Sequence, residues 1–421
     1  FLCIKLRKVI YMAPERIIFH IDVNSAFLSW EALERLKAGN GVDLRTVPSI
    51  VEGDPAKRRG VVLAKSIPAK KYGIVTGEPV VKALKKCPDL IIVPPSHGAY
   101  ARYSREMTDL LQTISPDIEK YSIDECFIDA TGLMLKYKND YLSLAHLIKN
   151  RIRDELGFTV NIGISENKLL AKMASDFKKP DQVHTLFRGE IPEKMWPLPV
   201  SELFMVGRAA SSRFNAMGIK TIGDLAKYDV SLLEQKFGKY GRMIWEYANG
   251  IDRSEVQTEE SEAKDLSNET TVEFDITDRE TARLYLLSLS ETVGMRLRKA
   301  GLYAGVVTVH IKNSSFESYS RRKKLGNPTQ DTGEIFETAT ELFDKVWRKD
   351  PIRLIGVATS DLVREPVQQL SMFDDQYDRR IERKKLNESI DRIREKYGNK
   401  YIVRASLLNF NRYLGKNDKD K

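Results

Sequence analysis

The chain has 421 residues, 42% hydrophobic and 30% charged, enough for two to four domains at roughly 100–200 residues each. It has no run of about 18 apolar residues, so no membrane span is expected. Its three cysteines, Cys3, Cys87 and Cys126, lack CxxC spacing, which argues against a zinc site or a disulfide framework and suits a reducing cytoplasm. The net charge of +9 is concentrated, with +3 in residues 1–11 and +7 in residues 376–421, so the body between them is near neutral. Any binding of phosphate must therefore rest on local patches.

Residues 1–11, FLCIKLRKVIY, read as a leader or appended stretch outside the fold, too short for a signal peptide with a cleavage site. The first element is a strand at 16–22, RIIFHID, followed at once by a helical pattern, SAFLSWEALERL, punctuated by Gly39 and Gly41. Further strands are expected at 60–64, 90–93, 126–128 and 159–164, with helices at 97–113, 141–156 and 167–178. That mixture describes an α+β or α/β catalytic region. From 190 to 250 the pattern turns to short helices broken by glycines. Residues 253–267 are polar and acid-rich with no apolar stripe, the composition of a linker. A βαββαβ order follows: strand 269–276, helix 278–299, strands 304–312 and 315–322, helix 331–348 and strand 352–360. Such an order reads as a ferredoxin-like split unit. A last helix, LNESIDRIREKY, lies in the basic tail.

The sharpest chemical feature is Asp22, at the end of the first strand, together with Asp124 and Glu125 in KYSIDECFID, which reads as a strand-turn-strand hairpin. If that hairpin pairs beside the first strand, three carboxylates converge at one sheet edge. Such a cluster repels itself unless cations neutralise it. Two Mg²⁺ ions suit it, because carboxylates with substrate phosphates are their usual environment, and a pair of ions steadies in-line phosphoryl transfer. On these residues alone, solvated carboxylates at strand ends are the better reading.

The flanking segments change that balance. HIDVNSAFLSWE, LAKSIPAKKYGIVTGEP, YSIDECFID and NIGISENKLLAKMASDFKKP occur in one order along the chain, and the series resembles the Y-family DNA polymerases, in particular the bacterial DNA polymerase IV-like enzymes. The resemblance runs over residues 17–365. It implies that Asp22, Asp124 and the carbonyl of Val23 ligate metal, with Glu125 as the third carboxylate near the primer end. It places Phe27 as a steric gate under the incoming sugar, the backbone of Asn24, Ser25 and Ala26 as a phosphate cradle, and Lys179 on the triphosphate. Two departures stand out. Ile67 occupies the place of the usual Tyr, and Lys70 that of the usual Arg, which keeps the charge but loses the bidentate fork. Ser66 or Tyr72 is expected to compensate, or nucleotide affinity to fall. Ala26 also replaces a usual aromatic, which implies a roomier pocket.

Farther along, SELFMVGRAASSRFNAMGIKTIGDLAKY resembles the helix-hairpin-helix of the family's thumb, with Gly207 the one glycine kept of the usual pair. Lys312 and the run Arg321, Arg322, Lys323 and Lys324 lie on adjacent strand candidates and suit sequence-independent contact with DNA phosphate. Gln369, Leu370, Ser371, Met372 and Phe373 resemble the pentapeptide that binds the bacterial sliding clamp, through burial of three apolar side chains in a groove.

The expected architecture is α+β, a right hand. A ferredoxin-like palm spans 12–25 and 96–186, small fingers 26–95, a helical thumb 187–252, a linker 253–266 and a βαββαβ little finger 267–366. The clamp peptide and basic tail fill 367–421. The implied reaction is addition of dNTPs to a primer 3′-OH with two Mg²⁺ ions, error-prone and able to pass damaged bases. Primer-template DNA and the sliding clamp are the expected partners of a cytoplasmic monomer that needs no membrane. A DNA- and clamp-binding scaffold without activity is one rival. A nucleotidyl cyclase, which would need neither thumb nor clamp peptide, is the other.

Overall fold

Six consecutive buried residues, Ile18–Val23, form β1, the middle strand of a five-stranded sheet. The computed structural model describes residues 16–53, 60–259, 262–365, 377–398 and 401–413, and the chain divides into two units at residues 260–261. After β1 the first unit continues with α1 (Ala26–Lys37), β2 (Ser49–Glu52), β3 (Val62–Lys65), α2 (Ile67–Lys71), α3 (Val80–Lys86) and β4 (Ile91–Val93). Next come α4 (His97–Gln112), β5 (Ile118–Lys120), β6 (Glu125–Asp129), α5 (Tyr141–Arg151), β7 (Val160–Ser165), α6 (Lys168–Ser175) and β8 (Val183–Thr185). Short helices close the unit: α7 (Ile191–Lys194), α8 (Arg208–Ala216), α9 (Ile222–Ala226), α10 (Val230–Phe237) and α11 (Lys239–Ala248).

The large sheet runs β5-β6-β1-β7-β8. Side chains alternate across a strand, so Phe19, Ile21 and Val23 of β1 join a core with Trp30, Tyr100, Tyr103 and Ile148. Phe19 and Ile21 are fully buried, each contributing roughly 1.5–3 kcal/mol by leaving water. The alternate residues Ile18, His20 and Asp22 face α6 on the other side: Ile18 packs with Ala171, and His20 meets Ser175. Gly163, opposite His20 on β7, lets that helix lie close. A Cβ there would stand 1.9 Å from the Ala171 carbonyl oxygen.

A smaller sheet, β3-β2-β4, has its own core of Ile50, Val62, Ala69, Ile74 and Leu90. The closing helices bury Phe214, Ile222, Leu233 and Ile244 against Leu170 of α6.

The second unit holds β9 (Asp265–Ile276), α12 (Arg279–Ala300), β10 (Tyr303–Asn313), β11 (Ser318–Thr329), α13 (Thr332–Val346), β12 (Ile352–Val363), α14 (Tyr377–Tyr397) and α15 (Ala405–Tyr413). Its sheet order is β11-β10-β12-β9, antiparallel throughout. The expected split unit is present, with the last strand of the four inserted between the first two. Two boundaries differ from expectation. β9 begins at Asp265, inside the stretch read as linker, and β11 runs from Ser318 past residue 322 to Thr329. β11 is an edge strand, which tolerates a charged run and a proline such as Pro328 that a central strand would not.

The basic tail is built into this unit. Arg298 of α12 clasps Asp391 of α14 at 2.6 and 3.1 Å. Glu291 accepts from Arg394 at 3.2 Å and Arg404 at 3.0 Å. Leu407 and Phe410 of α15 enter the core, Phe410 meeting Tyr285 edge-on at 4.8 Å. Among the described residues no helix is long and apolar enough to cross a membrane.

Candidate active site

The β1–β6 pairing sets Asp22 directly opposite Glu125, so both side chains emerge on the same face of the sheet. The Val23 N–H donates to the Asp124 carbonyl at 3.1 Å, which ties the tip of the β5–β6 hairpin to the end of β1. Ser122 shapes that tip. Its hydroxyl donates to Asp124 Oδ1 at 2.7 Å and accepts from the Glu125 N–H at 3.0 Å.

Each carboxylate is turned to a donor of the protein. Lys179 Nζ donates to Asp22 Oδ2 at 2.9 Å and also pairs with Asp176 at 2.8 Å. Lys172 of α6 donates to Glu125 Oε2 at 2.9 Å. Burial pushes the Asp22 carboxyl up, only partly offset by Lys179, to about 6. Burial also pushes Glu125 up, but the ammonium of Lys172 outweighs it and holds that carboxyl low, at about 2. His20 Nε2 stands 3.6 Å from Glu125, beyond hydrogen-bond range. His20 itself is fully buried, and burial lowers its imidazole below the usual value. Its Nδ1 lies 2.7 Å from Ser175 Oγ, which donates onward to the Lys172 carbonyl. That chain assigns the ring proton to Nδ1.

The donor set is all oxygen, the kind that Mg²⁺ takes, and Asp22 and Glu125 are cross-strand neighbours. In these respects the residues fit a metal site. Among the described residues, however, no three His, Cys, Asp or Glu side chains are gathered as one ligand set, because lysines and a hydroxyl engage them instead.

The turn from β1 into α1 forms the floor of a cavity of about 420 Å³. Ser25 takes a left-handed conformation there (φ 48°), which sharpens the strand-to-helix reversal. Asn24 is buried and its side chain points inward, donating to Asn161 at 3.1 Å and accepting from the Asp181 N–H at 2.9 Å. Its backbone is engaged as well, the N–H donating to the Thr159 carbonyl at 3.0 Å and the carbonyl accepting from the Ser29 hydroxyl at 2.6 Å. Phe27 is half-buried and stacks on Tyr100 at 4.8 Å with the rings 12° apart. Tyr100 is fixed in turn by donating to Glu31 at 3.0 Å, so the Phe27 ring rests on a rigid plate.

The other wall comes from β3 and α2. Lys70 and Ile67 are exposed on it, whereas Ser66 is 1% exposed. The Ser66 hydroxyl caps α2 by accepting from the Ala69 N–H at 3.1 Å, and it donates to the Val47 carbonyl at 2.7 Å. Residues 22–27, Ser66, Lys70, Asp124 and Lys179 all line the cavity, and Glu125 does not.

Comparison with known proteins agrees with this layout. The model of the impB/mucB/samB family matches residues 21–176, that of its C-terminal domain matches 263–372, and that of the DNA polymerase-iota thumb domain matches 202–252. A DNA polymerase IV of Clostridium acetobutylicum is 51% identical over 393 residues, 93% of this chain and 98% of that one. The chain belongs to the Y family of DNA polymerases. A second relative, the DNA polymerase IV of Acetivibrio thermocellus, is 37% identical over 401 residues, 94% of this chain and 98% of that one. A solved Y-family DNA polymerase chimera shares the fold with a TM-score of 0.71 at 23% identity, covering 83% of this chain and all of its own.

Within this Y-family chain, Gly207 precedes α8 as its N-cap. The place of the missing second glycine is taken by Met205, which adopts φ 71°. In the second unit, period-two alternation splits the basic run. Arg321 and Lys323 pair opposite Val309 and Val307, which face the core, and Lys323 binds Glu341 of α13 at 2.5 Å. Arg322 and Lys324 share the helix-free face with Lys312. The pentapeptide 369–373 lies outside the described residues. Sequence reasoning missed His20, Lys172 and Tyr100. His20 is two residues from Asp22 and hence on the same strand face, and Lys172 falls inside a quoted motif. No local signal marked Tyr100.

Proposed function

We propose that this DNA-directed DNA polymerase adds deoxynucleotides to a primer 3′-hydroxyl by two-metal phosphoryl transfer, in error-prone synthesis past damaged template. The observation that carries this reading is one cavity lined by Asp22, Asp124, Phe27, Lys70 and Lys179, drawn from four separate segments. The five-stranded sheet acts as palm, the three-stranded sheet as fingers, and the second unit as the little finger. Mg²⁺ ions held by Asp22, Asp124, Glu125 and the Val23 carbonyl would supply charge neutralisation at the attacking and leaving oxygens.

The chain's own residues do the positioning. Lys179 and Lys70 stand on opposite sides of the cavity, where they bracket the triphosphate. The Phe27 ring, stacked on Tyr100, blocks a 2′-hydroxyl. Lys312, Arg322 and Lys324 offer phosphate contacts that are blind to sequence. The pentapeptide 369–373 engages a sliding clamp, a reading supported by its Leu, Met and Phe and by the groove-binding mode of such peptides. The enzyme works on primer-template DNA as a monomer.

Primer extension by the parent and by Asp124→Ala tests the reading. The variant is expected to lose activity by on the order of a thousandfold while still binding duplex. A parent that extends no primer, or a variant as active as the parent, overturns it.

A further inference from the structure

The departures at Ile67 and Lys70 leave the finger wall short of the contacts that the Tyr and Arg usual in the family would make, and neither expected substitute supplies them. The Ser66 hydroxyl is already shared among the Val47 carbonyl and the N–H groups of Ala69 and Ser49. Tyr72 is half-exposed at the end of α2 and does not line the cavity. The last residue of β3 offers another donor. Lys65 lines the cavity beside Thr76, and its ammonium donates to Thr76 Oγ1 at 3.2 Å.

Among the described residues, neither Lys65 nor Lys70 has a carboxylate within ion-pairing range. The nearby Glu78 is engaged by Lys86 at 2.7 Å. Burial, and then the charge of Lys70, hold the Lys65 ammonium below its usual value. Two cations that repel each other therefore border a cavity whose opposite side holds Lys179. Such an arrangement is stabilised by an anion spanning the space, and a lysine serves phosphate as a compact point charge.

We propose that Lys65 is a nucleotide-binding residue that contacts the phosphate chain of the incoming dNTP, oriented by Thr76, in place of the hydrogen bond that Ile67 cannot make. This rests on the polymerase reading above. Lys65 shares the phosphate load with Lys70, so two point charges replace one fork and one hydroxyl.

The test is single-nucleotide insertion by the full chain on primer-template, with Lys65→Met, which keeps the aliphatic stem, and Lys65→Arg, which keeps the charge. Duplex affinity is measured without nucleotide. For Lys65→Met the dNTP KM is expected to rise about tenfold while the duplex Kd stays within about twofold, and Lys65→Arg is expected to recover most of the KM. An unchanged KM in Lys65→Met, or a KM and duplex Kd that worsen together, overturns the assignment while leaving the polymerase intact. A parent that inserts nothing instead overturns the reading on which it rests.

Discussion

On one wall of the cavity the acids have cations of their own: Asp22 holds Lys179 at 2.9 Å, and one strand over Glu125 holds Lys172 at 2.9 Å. On the other wall Lys65 and Lys70 border the same space with no acid paired to them among the described residues. On the first wall Asp22 has the Lys179 ammonium and Asp124 the Ser122 hydroxyl, so its side chains have defined positions before any ligand arrives. The second stores repulsion that only an incoming anion relieves.

The largest effect expected on sugar choice comes from the floor, which belongs to neither wall. Phe27→Ala removes a ring held by Tyr100 rather than by charge, and discrimination against ribonucleotides should fall by on the order of a hundredfold. Steady-state insertion of dNTP against rNTP reads it, and unchanged discrimination would remove Phe27 from the gate.

A smaller effect probes the acidic wall. Asp22 is raised from 3.8 to about 6, so its contribution to stability is fully present below pH 3.8 and lost as pH rises through 6. Glu125, lowered to about 2, works in the opposite window, stabilising above its ordinary value and losing that as pH falls through 2. In chelator-containing buffer, Asp22→Asn should match the parent near pH 3.8 and exceed it at neutral pH by about 2 kcal/mol. Urea titrations at the two pH values check this. A variant no more stable at neutral pH would mean that Lys179 compensates Asp22 completely.

The smallest effect carries the same contrast to the second unit. Lys323 has Glu341, whereas Arg322, one residue away, faces the open side of the sheet. Arg322→Ala should weaken duplex binding severalfold and flatten its salt dependence by about one unit of slope. Lys323→Ala should change both less, and equal losses would break the distinction between paired and unpaired cations.

Much of this was legible in the sequence because it follows short-range rules. β1 and α1 declared themselves by an apolar run and a change of period, and the βαββαβ order emerged with nearly correct boundaries. The three-residue strand β8 and the four-residue β2 are too short to show a period. The far end of β11 was hidden because Gly326 and Pro328 look like turn residues, although an edge strand accepts them. Of the residues that line the cavity, Asp22, Asp124, Phe27 and Lys70 could be singled out on the sequence. That Ser66 is consumed as a cap, or that Tyr100 supports Phe27, depends on contacts between distant segments. Tyr100 lies 73 positions from Phe27, and no local pattern encodes that distance.

The way α14 and α15 close onto α12 bears on how this molecule can be shortened. A cut placed after β12, where a basic tail invites trimming, would strip Glu291 of both its arginines and take Asp391 from Arg298. It would also open the pocket that Phe410 fills against Tyr285. The apparent appendage is a lid on the little finger's own interior, and a truncated form would expose greasy surface rather than shed loose chain.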